Sequence, residues 1–81
     1  MEAGQRLRRL KWRCRRGMKE LDLLLGRFVD ARGDALEGGA WPELEELLNQ
    51  EDDRLWDWLQ EPETGMPAYR KLLHDIRDAN A

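Results

Sequence analysis

The sequence predicts an all-α fold, a small single-domain bundle of about five short helices over residues 1–81. Apolar residues recur at intervals of three and four in several stretches, which is the period of an α-helix. β-branched residues are few, and no segment alternates polar and apolar side chains as a half-buried strand does. A chain of 81 residues and 9.6 kDa has room for one small hydrophobic core.

A first helix is predicted over about residues 3–15, followed by a break at Gly17 and a second helix over about 18–31. Each carries an apolar stripe at helical spacing. The first stripe consists of Leu7, Leu10 and Cys14. The second consists of Met18, Leu21, Leu24, Leu25, Phe28 and Val29. Gly33 leaves open how far the second helix continues.

Three further helices follow a glycine break at 38–39. The third is predicted over about 42–49. The fourth is capped by an aspartate of the acidic run 51–53 and ends before Pro62, and the last opens at Pro67. Their stripes consist of Leu44, Leu47 and Leu48; Leu55, Trp56, Trp58 and Leu59; and Tyr69, Leu72, Leu73 and Ile76.

The charges are distributed unevenly along the chain. Residues 1–20 contain eight Lys and Arg against two Glu, whereas residues 21–81 contain six against fifteen Asp and Glu. A basic end on an acidic body favours steering toward an anionic partner surface. It equally fits self-complementation, in which the basic helix lies across the acidic helices of its own fold. The sequence leaves both interpretations open.

Composition narrows the class and the compartment. No run approaches the roughly 20 apolar residues of a membrane span, and the basic N-terminus has no apolar segment behind it, so we expect no membrane association and no secretory signal. The single Cys14 excludes an internal disulfide framework and a zinc site built on several thiolates. We expect a cytoplasmic protein that binds no metal and is a monomer when free.

Catalytic side chains are scarce, with one His, one Cys, one Thr and no Ser. A nucleophile needs an adjacent base, and only Cys14 and His74 could form such a pair. Cys14 continues an apolar stripe and is interpreted as a buried structural thiol, and His74 as a rim histidine near a helix C-terminus. Calcium loops and phosphate-binding glycine motifs are absent. We expect no catalytic residue and no enzyme activity.

The first helix also has the electrostatic footprint of a nucleic-acid binder, since its cations point around most of its circumference and Trp12 could stack on a base. A sequence pI near 5.1 and the acidic remainder argue against this function. A basic-helix nucleic-acid binder or antitoxin-like regulator therefore stays the alternative to a protein partner. Trp12 and Trp58 could each be core or interface, and the core is favoured because a small bundle needs large apolar residues.

The junction of the first two helices has two interpretations. Gly17 can end the first helix in a left-handed conformation or cap the second. Glu20 would then meet the second helix dipole at the third position and could reach back toward the capping amide. Arg16 opposes the negative end of the first helix. Helix capping alone can thus explain these residues, and so can recognition of a partner.

The stretch Trp12-x-Cys14-Arg15-Arg16-Gly17-Met18-x-Glu20-Leu21-Asp22 resembles the signature of the small succinate dehydrogenase flavinylation factors, whose hallmark is Arg-Gly-x-x-Glu. A second block is similar as well. It runs from Leu47-Leu48 through Glu51-Asp52-Asp53 to Leu55-Trp56-x-Trp58-Leu59. The two blocks together cover about residues 6–60.

The resemblance implies a five-helix assembly factor that binds the flavoprotein subunit of succinate dehydrogenase, or the related fumarate reductase subunit. It implies that the factor promotes covalent attachment of FAD to a histidine of that subunit. Because the chain has no phosphate-binding glycine motif, we expect that it does not bind FAD tightly itself. Arg16, Gly17 and Glu20 would form the contact surface. The flanking contacts would be Arg15, Met18 and Asp22.

Overall fold

Six α-helices form within residues 4–81. The computed structural model describes residues 4–81, so residue 3 of the predicted first helix lies outside the described part. The helices are α1 Gln5–Arg13, α2 Lys19–Ala31, α3 Gly33–Glu37, α4 Leu44–Leu47, α5 Asp52–Gln60 and α6 Arg70–Ala79. Two 3-10 turns, Pro62–Thr64 and Pro67–Tyr69, connect α5 to α6. Residues 4–81 contain no strand, which confirms the predicted all-α class.

The number of helices exceeds the predicted five because the link after α2 folds into a helix of its own. Arg32 leaves the helical region, with φ −117° and ψ 24°, and the chain turns there before α3 begins. Leu36 then packs into the core as expected. The helix predicted over 42–49 is reduced to the four residues of α4, since Pro42 lies in a turn before it. The fourth predicted helix is capped by the backbone of Glu51 and not by an aspartate side chain.

The predicted stripes converge on one core. α2 and α6 pack against each other, α1 lies against α2 and α3, and α5 lies against α2 and α6. The buried core residues are Leu10, Cys14, Leu21, Leu25, Phe28, Val29, Leu36, Leu44, Leu47, Leu48, Leu55, Leu59, Tyr69, Leu72, Leu73 and Ile76. No helix within residues 4–81 has both the length and the apolar character needed to cross a bilayer.

Trp12 and Trp58, for which the sequence allowed either a core or an interface position, differ in burial. Trp58 is half-buried and packs against the core, as favoured. Trp12 is 71% exposed, so the core position favoured for it is wrong. The physical reason is its place on α1. Trp12 lies two residues, or about 200° around the helix, from the buried Leu10, and therefore faces away from the core.

Candidate functional site

The turn between α1 and α2 is the candidate site, and we call residues 15–22 the corner. Gly17 lies at its apex with φ +92°, a left-handed conformation that favours glycine. A Cβ added to Gly17 would meet no atom within 4 Å. The residue is exposed. The corner therefore presents bare backbone to the surroundings, and another chain can approach it closely.

The carboxylate of Asp22 holds the backbone of the corner. Its Oδ1 accepts the backbone N–H of Arg16 at 2.9 Å, and its Oδ2 accepts that of Gly17 at 3.1 Å. Asp22 lies in the first turn of α2, where the helix dipole favours an acid. The N-cap of α2 is Met18, which is half-buried against the core. Asp22 thus binds the amides of the two residues before the N-cap. Glu20 is the second residue of α2 and not the third, and its exposed carboxylate makes no hydrogen bond or ion pair within residues 4–81.

The guanidinium of Arg16 turns into the protein. Its Nε donates to Oδ1 of Asp52 at 2.5 Å. Its Nη1 donates to the carbonyl of Leu48 at 2.8 Å and its Nη2 to that of Gln50 at 2.6 Å. Only 15% of the side chain is exposed. Arg16 therefore ties the corner to the segment between α4 and α5, where the planar fork matches two carbonyls and a carboxylate. Its predicted contact with a partner stays a prediction.

The remaining polar side chains of the corner point outward. Arg15 is exposed and lies 5.5 Å from the ring centroid of Trp12, within the range of a cation–π contact. Lys19 and Glu20 are exposed too. The corner consequently has an inner half, Arg16 and Asp22, that fixes its shape, and an outer half that stays accessible.

The cations of α1 divide in the same way. Arg6 is almost enclosed, and its guanidinium donates to both carboxylate oxygens of Glu45, at 2.9 and 3.1 Å. It also donates to the carbonyls of Leu36, Ala40 and Trp41. Arg13 donates to Oδ1 of Asn49 at 2.6 Å. Self-complementation thus accounts for part of the basic end, while Arg8, Arg9 and Arg15 remain exposed.

Arg6 and Glu45 perturb each other's protonation. The hydrogen bond from Arg6 holds the pKa of the Glu45 carboxyl below its ordinary value near 4.5. The same hydrogen bond raises the pKa of Arg6. Both shifts favour the charged forms, so the pair is ionised at neutral pH.

Two concavities adjoin the corner. The first is a shallow depression lined by Gly17, Lys19, Asp22 and Leu23. The second is a groove of about 520 Å³ where α2, α5 and α6 converge. Glu20 lies on its rim, and its walls are mainly apolar. Leu23 belongs to both concavities and is 49% exposed. The accessible surface of the corner therefore continues across Leu23 into the groove.

The structure does not make Cys14 and His74 a catalytic pair. Cys14 is 2% exposed, and burial raises the pKa of its thiol to about 12, so it holds no thiolate at neutral pH. His74 is exposed in the middle of α6, where its Nε2 lies 2.8 Å from Oε2 of Glu63. The predicted buried thiol is confirmed, and so is the exposed position of His74. The predicted place of His74 near a helix C-terminus is wrong, because the residue is the fifth of the ten in α6.

The fold and the corner together define a small all-α protein whose candidate site is an outward-facing turn. The family model described as "Flavinator of succinate dehydrogenase" matches residues 8–80. The chain therefore belongs to this family, which confirms the resemblance found in the sequence. No solved structure matches the chain.

Individual relatives agree with the family. The chain is 34% identical over 77 residues to the FAD assembly factor SdhE of Coxiella burnetii, covering 91% of this chain and 92% of that protein. It is 45% identical over 72 residues to the FAD assembly factor SdhE of Legionella pneumophila strain Paris, covering 89% and 91%. The protein of the same name from Xylella fastidiosa strain 9a5c is 39% identical over 81 residues, covering 95% and 80%.

Two residues near the corner were not singled out by the sequence. Asp52 was interpreted as part of a helix cap, and only the tertiary structure brings it to Arg16, 36 residues away. Leu23 stands among leucines that supply the core, yet it is off the stripe formed by Leu21 and Leu25. That offset is the one sequence signal that distinguishes an exposed leucine from its buried neighbours.

Proposed function

We propose that this chain is an assembly factor that binds the flavoprotein subunit of succinate dehydrogenase, or of the related fumarate reductase, and promotes covalent attachment of FAD to a histidine of that subunit. Membership of the flavinator family carries the proposal. The corner supports it, because Gly17 offers open backbone between the exposed side chains of Arg15 and Glu20.

In this proposal the chain positions the reacting groups of the flavoprotein subunit and does not itself catalyse formation of the bond to FAD. Holding two reacting groups in the right geometry replaces an encounter by an intramolecular step, which lowers the entropic part of the barrier. A factor that holds the flavoprotein with its histidine next to the flavin needs a rigid contact surface and no nucleophile. The corner is rigid by construction, since Asp22 fixes its backbone and Arg16 anchors it to the α4–α5 segment.

Within this proposal the residues of the corner have different tasks. Gly17 allows the partner's backbone to approach, and the carboxylate of Glu20 accepts hydrogen bonds from partner donors. Arg15 supplies an exposed cation. Arg16 and Asp22 keep these groups in place. FAD is the substrate of the partner's reaction, and we expect this chain not to hold it tightly, because the sequence has no phosphate-binding glycine motif.

The proposal is tested with substitutions at two glycines, one in the corner and one outside it, at which a side chain causes similar backbone strain. Gly17 and Gly39 have φ of +92° and +98°, and neither would place a Cβ within 4 Å of another atom. Gly17→Arg and Gly39→Arg therefore carry similar backbone strain, about 1–2 kcal/mol. Each variant is co-expressed with the flavoprotein subunit in cells that lack the native factor, and covalent flavin is read as fluorescence of the denatured subunit.

We expect Gly17→Arg to lower covalent flavin at least 10-fold and Gly39→Arg to leave it within twofold, with equal melting temperatures for the two variants. Equal flavinylation by both variants would contradict a role for the corner. Loss of flavin in proportion to loss of stability would assign Gly17 to helix capping alone.

A further inference from the structure

We propose that the groove between α2, α5 and α6 is the second half of the partner contact, and that it takes an apolar side chain with an adjacent basic residue from the flavoprotein subunit. This inference rests on the proposed function. It adds the binding position of a partner segment and the chemistry of that segment.

The groove is built from residues of three helices. Leu23 and Leu24 of α2 form one wall, and Trp56 and Leu59 of α5 form another. Asn80 closes it at the end of α6, where its Nδ2 donates to the carbonyls of Leu24 at 3.0 Å and Ile76 at 2.8 Å. The bond to Leu24 fixes the end of α6 to α2, so the groove is already formed in the free protein.

Leu23 marks the groove as a place for an apolar group. The exposed large hydrophobic residues of the described chain are Trp12, Leu23 and Met66. Of these, only Leu23 lines the groove or the depression beside it. An apolar side chain placed against Leu23 removes water from both surfaces and gains the free energy of apolar burial.

The free charges on the rim of the groove are negative. Glu20 and Asp78 line it, and neither carboxylate makes an ion pair or hydrogen bond within residues 4–81. Arg77 lies at the same rim, but its Nη1 donates to the carbonyls of Leu59 and Gln60 at the C-terminal end of α5. The guanidinium thus offsets a helix dipole, and the rim is complementary to a Lys or Arg.

Continuity with the corner determines which partner supplies the segment. Leu23 lines the depression that contains Gly17 as well as the groove that contains Glu20. A chain that approaches the backbone of Gly17 therefore passes over Leu23 and enters the groove. The exposed cations Arg15 and Lys19 lie toward the corner, where the carboxylate of Asp22 is already bonded to two backbone amides. The acids without a side-chain partner within residues 4–81, Glu20 and Asp78, line the groove. The expected segment consequently has an acidic residue, an apolar residue and a basic residue, in spatial order from corner to groove.

The experiment measures binding of the full chain to the purified flavoprotein subunit before flavinylation, by titration calorimetry. Leu23→Ser is compared with Met66→Ser, because the two native side chains are 49% and 50% exposed and only Leu23 lies in the groove. We expect a dissociation constant about 10-fold higher for Leu23→Ser and within twofold of the native value for Met66→Ser. Circular dichroism confirms that both variants fold.

The charge of the occupant is tested with Asp78→Lys. A basic neighbour in the segment predicts binding weakened about threefold or more at low salt, with the difference shrinking as salt rises. Stronger binding by Asp78→Lys would overturn the predicted basic residue. If Leu23→Ser binds the flavoprotein subunit as tightly as the native chain does, the proposed role of the groove is wrong, and the proposed function is unaffected. Absence of binding by the native chain itself would overturn both.

Discussion

The inner and outer faces of α1 carry the same kind of residue in very different surroundings. On the inner face, Arg6 reaches three carbonyls and a carboxylate of the α3–α4 region, and only 17% of its side chain is exposed. On the outer face, Arg8 and Arg9 are exposed. Adjacent residues of one basic helix thus divide between holding the fold together and presenting charge to the surroundings.

This difference explains how a chain can use a basic helix for two purposes at once. The inner arginines hold the loops around α4, a helix too short to be stable alone. Arg6 binds carbonyls before it, and Arg16 binds carbonyls after it. The outer arginines bind nothing within residues 4–81 other than the contact of Arg15 with Trp12. They are therefore available for steering a partner, and part of the apparent nucleic-acid footprint is structural.

The largest expected effect on stability comes from removing the arginine of the inner face of α1. Arg6→Ala removes five hydrogen bonds and leaves Glu45 without its partner, so we expect the free energy of unfolding to fall by about 3 kcal/mol. Arg8→Ala, two residues along the same helix, should change it by no more than about 0.5 kcal/mol. Urea unfolding followed by circular dichroism measures both. If both variants lose the same free energy of unfolding, the two faces of α1 do not differ in their contribution to stability.

A smaller effect is expected from acid. Since Arg6 lowers the pKa of Glu45, this pair stabilises the fold above the ordinary pKa near 4.5, and that contribution is lost as the pH falls through the lowered value. The difference in unfolding free energy between the native chain and Glu45→Gln should therefore shrink on going from pH 7 to pH 3. Because 39% of the Glu45 side chain is exposed, solvent screens the pair, and we expect the change to stay below about 1 kcal/mol.

The matched control for the acid experiment is Glu37→Gln. Glu37 is an exposed glutamate that forms no hydrogen bond or ion pair within residues 4–81. Its difference from the native chain should not depend on pH over the same range. If the difference for Glu45→Gln is equally insensitive to pH, the Arg6–Glu45 contact does not persist in solution.

The core and the conformation at the corner could be predicted from the sequence, because both depend on local spacing. Apolar residues at helical intervals predicted the buried stripes. Of the two roles considered for Gly17, the left-handed conformation is the one observed, at φ +92°, while the N-cap of α2 is Met18. Local patterns do not report which backbone atoms lie beneath a side chain. The bonds from Arg16 to Leu48 and Gln50 span 32 and 34 residues, so only the packed structure shows that its guanidinium is already engaged.

Very short helices could not be predicted from the sequence either. α3 begins at Gly33, a residue that indicates the end of a helix more readily than its start. Its five residues are too few to show a period, and only the buried Leu36 signals it. Trp12 was different, since its offset from the apolar stripe already indicated an outward position. The core position predicted for Trp12 rested on the need of a small bundle for large apolar residues, and the helical spacing was the better guide.

The smallest expected effect on stability tests the outer face directly. Trp12→Ala should change the unfolding free energy by less than about 0.5 kcal/mol, since the residue is 71% exposed and its ring lies beside the exposed Arg15. Trp41→Ala is the comparison, because that ring packs edge-on against Phe28 at 4.9 Å and donates a hydrogen bond to Asp75. It should cost about 3 kcal/mol. A loss above about 1 kcal/mol for Trp12→Ala would show that the outer face is part of the structural core.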